Sequence, residues 1–257
     1  MHSRAIRRTR KEEDEESYFI SMADMMVGLL FIFLILVLYF AMAFRQTTDQ
    51  LSGANDARKH ILETLKERLD ERFKPLGLMV TINPETGVLS LPNSILFATG
   101  QYSLSPQGKH AVGIVARELA LVLPCYADHR PDIELERRCK PSHHRIDAIF
   151  VEGHTDSVPL NRTGIISDNL DLSTLRATHT FRQLVSSAPE LNLLTNNAGS
   201  RPVPILSVSG YGDQRLVEEG EGEEVNKHNR RIDLRFLMIS PGSNLGDRIS
   251  KDMQGAS

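Results

Sequence analysis

The chain has no tryptophan, two cysteines, and a net charge of only -3 over 257 residues. Each scarcity removes a class of protein. With no Trp and aromatics at 6%, there is little material for stacked-ring platforms that hold glycans. Two cysteines exclude a disulfide-dense scaffold and a four-cysteine zinc site. The weak negative charge offers no electrostatic footprint for general nucleic-acid binding. Neither a G-x-S-x-G elbow nor an H-E-x-x-H pair occurs, although His154, Asp156 and Ser173 could be imagined as a hydrolase set. The chain is therefore expected not to be an enzyme, and no cofactor is implied. At 40% hydrophobic and 25% charged, it is ordinary for a folded protein.

What the averages hide is one apolar run. From Met25 to Phe44 there are 20 residues without a charge, MMVGLLFIFLILVLYFAMAF. At 1.5 Å per residue they span about 30 Å, the hydrocarbon thickness of a bilayer. A signal-peptide core is shorter and ends in a small-x-small cleavage site, whereas this run ends directly in Arg45. The reading is an uncleaved transmembrane helix. Arg4, Arg7, Arg8, Arg10 and Lys11 precede it, and after Arg45 nothing basic follows until Arg58. The positive-inside rule then places the N-terminus in the cytoplasm, and the acidic run Glu12–Glu16 carries little weight in that rule.

Asp24 sits at the cytoplasmic edge of this run, after Tyr18, Phe19, Ile20, Met22 and Ala23. Charge in hydrocarbon is costly, so a carboxyl there belongs against a protein interior, where it can load and release a proton. The competing reading is an Asp reaching the headgroups or capping the helix. Position alone leaves both open.

Residues 46–55 read as a short polar linker. Residues 56–73 read as a helix with Ile61, Leu62, Leu65, Leu69 and Phe73 on one stripe. That stripe could pair with a second copy of the chain or dock on the domain that follows. Beyond Leu78 the pattern predicts a hairpin around Asn83–Gly87, then a helix from Ser105 with a Ser-Pro start. A strand into His154, a helix over LSTLRATHTFRQLV, a strand ILSVSGYG and a final strand RRIDLRFLMI follow. Strands separated by helices imply an α/β layer with a mixed sheet. Residues 124–144 and 186–204 read as loops. Outside the cytoplasm, Cys125 and Cys139 are expected to be joined. A zinc site with His143 and His144 is the weaker alternative, because the cysteines lack C-x2-C spacing.

The informative constellation is VEGHTDSVP, NLDLSTLRA, SGYGD and NRRIDL. Asp156 ends a strand and offers a carboxylate. Asn169 and Ser173 flank a helix start, and Arg176 follows. Asp, Arg and helix amides together would bind a zwitterion. An Asp–Arg salt bridge stapling turn to helix is the competing reading. These motifs, G-H-T-D, N-x-x-L-S-x-x-R-A, G-x-G and N-R-R, resemble the OmpA-like peptidoglycan-binding domain over roughly residues 75–240. The resemblance implies that Asp156 and Arg176 hold the ends of the diaminopimelate residue of a stem peptide. It gives Asn169, Leu172 and Ser173 as pocket residues. Of Arg230 and Arg231, which match the N-R-R strand, one faces the site, and Arg231 is taken as that one.

The N-terminal half extends the resemblance. A tail, one helix with an Asp at its cytoplasmic edge, a linker and an OmpA-like domain resemble MotB-type stator subunits. The stretch YFISMADMMVGLLFIFLIL is most similar to B subunits of the Zorya anti-phage defence system. A single transmembrane α-helix with a periplasmic α/β domain is therefore implied, in the inner membrane. The expected parts are a tail (1–17), the membrane helix (18–45), a linker and juxtamembrane helix (46–74), the OmpA-like domain (75–240) and a C-terminal tail (241–257). The resemblance implies Asp24 as proton carrier. It also implies a polytopic MotA-like A subunit, forming a pentamer around a homodimer of this chain. A flagellar-type stator subunit and a passive membrane-to-wall tether are the alternatives.

Overall fold

The structure, a computed structural model, describes residues 2–98, 100–129, 142–160, 165–197 and 201–239, with the backbone alone for 2–21. The expected C-terminal tail lies outside the described residues. The chain divides into two compact units, Met1–Gln50 and Leu51–Ser257.

The first unit is helical. It belongs to α1 (His2–Phe73), the one helix among the described residues long and apolar enough to cross a membrane. Its side chains from Met22 to Gln50 are exposed. The sequence reading placed a linker at 46–55, but the backbone stays helical there. Thr47 and Thr48 donate their hydroxyls to the carbonyls of Ala43 and Phe44, at 3.0 and 2.9 Å. Each thus satisfies its own hydroxyl within the helix, which removes the local reason for a break.

The second unit begins at Leu51 rather than at residue 75, because the apolar stripe has a use there. Ile61, Leu62, Leu65, Leu69 and Phe73 are essentially fully buried in the core of this unit. Glu118, itself buried, accepts from Arg68 at 2.6 Å and Arg72 at 3.3 Å. The stripe thus docks on the domain that follows it in sequence.

A 3-10 turn at Lys74–Leu76 leads to β1 (Thr81–Asn83) and β2 (Val88–Pro92), the predicted hairpin. The Asn83 side chain accepts from the amides of Glu85 and Thr86, both at 3.1 Å, and fixes the turn. The short α2 (Asn93–Leu96) follows, then α3 (Pro106–Val122). Ser105 caps α3 by accepting from Gly108 N at 2.8 Å, with Pro106 at the first helical position.

After β3 (Asp128–His129) come β4 (Ile146–His154) and α4 (Asn169–Ser187). The region read as a loop at 186–204 instead ends α4 and forms β5 (Leu194–Asn196) and β6 (Val203–Pro204). With β3 these make a small three-stranded sheet. The strands are two and three residues long, too short to leave a periodic signal. The chain closes with β7 (Leu206–Gly210), α5 (Glu223–Asn229) and β8 (Arg231–Met238).

The main sheet has the order β1-β2-β8-β4-β7. β4 and β7 are parallel and the other pairs antiparallel, so the sheet is mixed. One face carries Leu89, Leu91, Ile149, Val151, Ile232, Leu234 and Phe236, all buried. Helix α4 packs on β4 and β7 and against α3. Its approach is close: a Cβ at Gly153 would lie 2.1 Å from the carbonyl oxygen of Ser173.

The other face is polar, with Glu152, His154, Arg231 and Asp233 buried and Arg235 half-buried. Glu152 and His154 of β4 stand beside Arg231, Asp233 and Arg235 of β8. Arg235 Nε donates to both Glu152 oxygens, at 2.8 and 3.0 Å. Arg231 Nε donates to Asp233 Oδ2 at 2.9 Å, and Ser90 donates to Asp233 Oδ1 at 2.5 Å. Burial by itself would raise the Glu152 carboxyl. The neighbouring His154 ring and the hydrogen bonds and charge of Arg235 outweigh it and bring the carboxyl down to about 2.

Candidate functional site

A cleft of about 910 Å³ opens where the end of β4, the start of α4, α2 and α5 meet. Asp156 enters it from the turn after β4, where β-sheet backbone ends and side chains are free to face a ligand. Its Oδ1 accepts from Val158 N at 3.3 Å, and its Oδ2 accepts from Arg230 Nη1 at 2.7 Å. Asn169 holds the same turn from the first residue of α4. Its amide donates to the carbonyls of Asp156 and Val158, at 3.3 and 3.0 Å. The helix cap itself is Asp168, which accepts from Asp171 N at 2.9 Å.

Arg176 lies two turns into α4 and is 2% exposed. Nε donates to the Gln101 carbonyl at 2.8 Å, and the guanidinium lies 5.2 Å from the centre of the Phe97 ring. No carboxylate of the described residues comes within 4 Å of it. Burial lowers its pKa to about 10, with the nearby positive charge of Arg230 pushing the same way and Asp156 opposing. An anion in the cleft would offset both costs.

Two further polar atoms lack a partner. Asn93 Oδ1 and Thr155 Oγ1, which belong to two residues of the cleft lining, are buried and make no hydrogen bond among the described residues. Buried polar groups are normally satisfied, so two orphans in one cleft wall suit a polar ligand. The lining carries Arg176, Lys227 and Arg230 against Asp156 and Glu223.

Of the residues expected at the site, Asp156, Asn169, Leu172 and Arg176 line the cleft. Asp156 and Arg176 do not form the stapling salt bridge; Arg230 takes that place. Ser173 does not line the cleft: it is fully buried, donates to the Leu170 carbonyl at 2.9 Å and accepts from Gly212 N at 2.8 Å. Its hydroxyl positions the turn after β7. Arg231 also does not line the cleft, and Arg230 does. The reason is strand parity: Arg231 is the first residue of β8, opposite His154, and its side chain joins Asp233 on the polar face.

Sequence reasoning missed Asn93 and Phe97 from the α2 segment and Glu223, Asn226 and Lys227 from α5. The Glu-rich stretch before N-R-R was the one available signal for α5. Cys125 is disulfide-bonded, and Cys139 lies outside the described residues. Glu152, His154 and Asp233 place ligand-type atoms within 4.8 Å of one another. Arg231 and Arg235 already donate to those carboxylates, so a divalent cation there would sit beside two guanidinium groups. The cluster is a structural ion network.

No protein-family profile matches the chain, and no curated protein matches it. Among solved structures it is similar to a MotB-like protein from Desulfovibrio vulgaris, with 18% identity and a TM-score of 0.44 over 72% of this chain and 96% of that one. It is similar to the cell wall anchor of the T6SS from Pseudomonas aeruginosa, with 18% identity and a TM-score of 0.45 over 66% and 94%. It is also similar to the periplasmic domain of Helicobacter pylori MotB, with 20% identity and a TM-score of 0.42 over 66% and 85%. Likeness of that degree does not carry function across, and the chemistry of the cleft has to supply it.

Proposed function

We propose that this chain is a peptidoglycan-anchored, single-pass subunit of a proton-driven, stator-type motor in the bacterial inner membrane, acting in anti-phage defence. The observation that carries the anchoring half is Arg176, a buried cation with no carboxylate partner among the described residues, in the wall of a cleft that also holds Asp156. A ligand bearing both carboxylate and ammonium suits that pair. The diaminopimelate end of a peptidoglycan stem peptide is such a ligand. Arg176 takes its carboxylate and Asp156 its ammonium, while Asn93 and Thr155 supply polar contacts.

The motor half rests on Asp24, which directly precedes the uncharged run Met25–Phe44 of α1, where the side chains from Met22 to Gln50 are exposed. One helix cannot enclose an ion path, so partner helices supply the other wall. By the sequence resemblance these come from a polytopic A subunit, a pentamer around two copies of this chain. Each proton falling through 100 mV releases about 2.3 kcal/mol. The basic residues before the apolar run support a cytoplasmic N-terminus and a periplasmic second unit. The defence role rests on the resemblance of the N-terminal segment alone.

The test of anchoring is co-sedimentation of the full chain with purified peptidoglycan sacculi. Wild type is expected in the pellet and Arg176→Ala in the supernatant. The test of the motor is proton flux in liposomes holding the chain and its polytopic partner, where Asp24→Asn is expected to abolish flux. Equal flux would leave a membrane-to-wall tether. For the defence role, phage plating efficiency is expected to rise to the undefended level in cells carrying Asp24→Asn.

A further inference from the structure

Arg230 is shared between two carboxylates. Nη1 bonds Asp156 Oδ2 at 2.7 Å, and Nη2 bonds Glu223 Oε1 on α5. The two partners differ in exposure: the Asp156 side chain is 11% exposed and that of Glu223 is 72% exposed. Exposed ion pairs contribute little, because water and salt compete for both charges. The partly buried Asp156 pair is the one that persists, and the Glu223 pair is the one a competing anion can replace. Glu223 also lines the cleft, so its carboxylate lies where a ligand carboxylate would meet Arg230. Its hold on Arg230 draws the Glu223 carboxyl below its ordinary range.

Glu223 is the first residue of α5. α5 has seven residues and no side-chain cap at its start. The residue before it, Gly222, has φ +121, a conformation side-chain-bearing residues rarely adopt. Glu224, one residue further on, pairs among the described residues with Lys227 alone, at 3.8 Å, and does not line the cleft.

We infer that Glu223 is a built-in stand-in for a second carboxylate of the ligand, distinct from the one at Arg176: it holds Arg230 and gives it up when an anionic stem peptide binds. This rests on the peptidoglycan reading above. It makes Glu223 a residue that weakens binding, by competing for Arg230 and by repelling the incoming carboxylate. Removing its charge should therefore tighten binding, which is unusual for a residue lining a binding cleft.

The experiment is calorimetric titration of the full chain in detergent with the tripeptide L-Ala-D-Glu-meso-diaminopimelate. Wild type, Glu223→Gln, Glu224→Gln and Asp156→Ala are compared. Glu223→Gln is expected to bind about fivefold tighter than wild type, Glu224→Gln within twofold of it, and Asp156→Ala not at all. Unchanged or weaker binding by Glu223→Gln, with wild type binding normally, overturns the stand-in role and leaves the peptidoglycan reading intact. A gain of the same size in Glu224→Gln also overturns it, because general charge repulsion would then explain the effect. If neither wild type nor Glu223→Gln binds the tripeptide, the peptidoglycan reading falls and the stand-in falls with it.

Discussion

Asp156 and Arg176 share one cleft yet do not pair: Arg230 holds the Asp156 carboxylate at 2.7 Å, while Arg176 has only the Gln101 carbonyl and the Phe97 ring among its described partners. Within the cleft the Asp156 carboxylate is therefore paired, and Arg176 has no carboxylate partner among the described residues. This asymmetry says which end of a zwitterion is held more tightly. In the proposed complex the carboxylate at Arg176 meets a buried charge with no carboxylate competitor among the described residues, and the ammonium end must share Asp156 with Arg230.

Arg176→Lys keeps the charge and loses the planar fork. The shorter ammonium gives up the Gln101 contact and the overlap with Phe97. Affinity for the stem tripeptide should fall by about tenfold or more, with the melting temperature within a few degrees of wild type. Titration calorimetry paired with thermal melts separates the two.

The boundary of the folded second unit is testable by truncation. A fragment starting at Leu51 keeps Ile61, Leu62, Leu65, Leu69 and Phe73, all essentially fully buried. A fragment starting at residue 75 loses all five. At about 2 kcal/mol per large side chain the loss is roughly 10 kcal/mol, as large as a domain's whole net stability. Circular dichroism melts should show a cooperative transition for the first fragment and none for the second.

Gly153→Ala places a methyl 2.1 Å from the Ser173 carbonyl oxygen, a backbone atom that cannot step aside without moving α4. The strain should cost about 1–3 kcal/mol or more. Because α4 carries Arg176, ligand affinity should fall together with the melting temperature. A matched Arg176 variant would lower affinity alone.

Acid should release the buried network on the polar face. Glu152 titrates at about 2 in the fold against an ordinary 4.5. The unfolded chain therefore takes up the proton first, and the contribution of Glu152 is complete above pH 4.5 and fades as pH falls toward 2. Glu152→Gln should melt lower than wild type at pH 7, because it leaves Arg235 without its carboxylate. That difference should shrink steadily between pH 4.5 and 2.5 in parallel melts.

Much of this arrangement was legible in the sequence because its signals are local. The Ser105-Pro106 start of α3 and the Asn83 turn each rest on hydrogen bonds spanning two or three residues. Asp156 and Arg176 were findable because motif residues 20 apart sit on adjacent elements. Arg230 was confused with Arg231 because the choice depends on where β8 begins, and one residue of register reverses the face. The continuity of α1 through 46–55 was missed because polar residues suit a solvated helix as well as a linker. Glu223 and Asn93 were invisible because their places in the cleft come from long-range packing of α5 and α2.

The proposal turns on Arg176, which has no carboxylate partner among the described residues, and its neighbour Asp156 gripping the cell wall. The most direct test is co-sedimentation of the full chain with peptidoglycan sacculi, for wild type, Arg176→Ala and Asp156→Ala, with folding checked by thermal melts. The account predicts that wild type pellets with the wall and that both variants, folded, stay in the supernatant. Folded variants that pellet as well as wild type would contradict it.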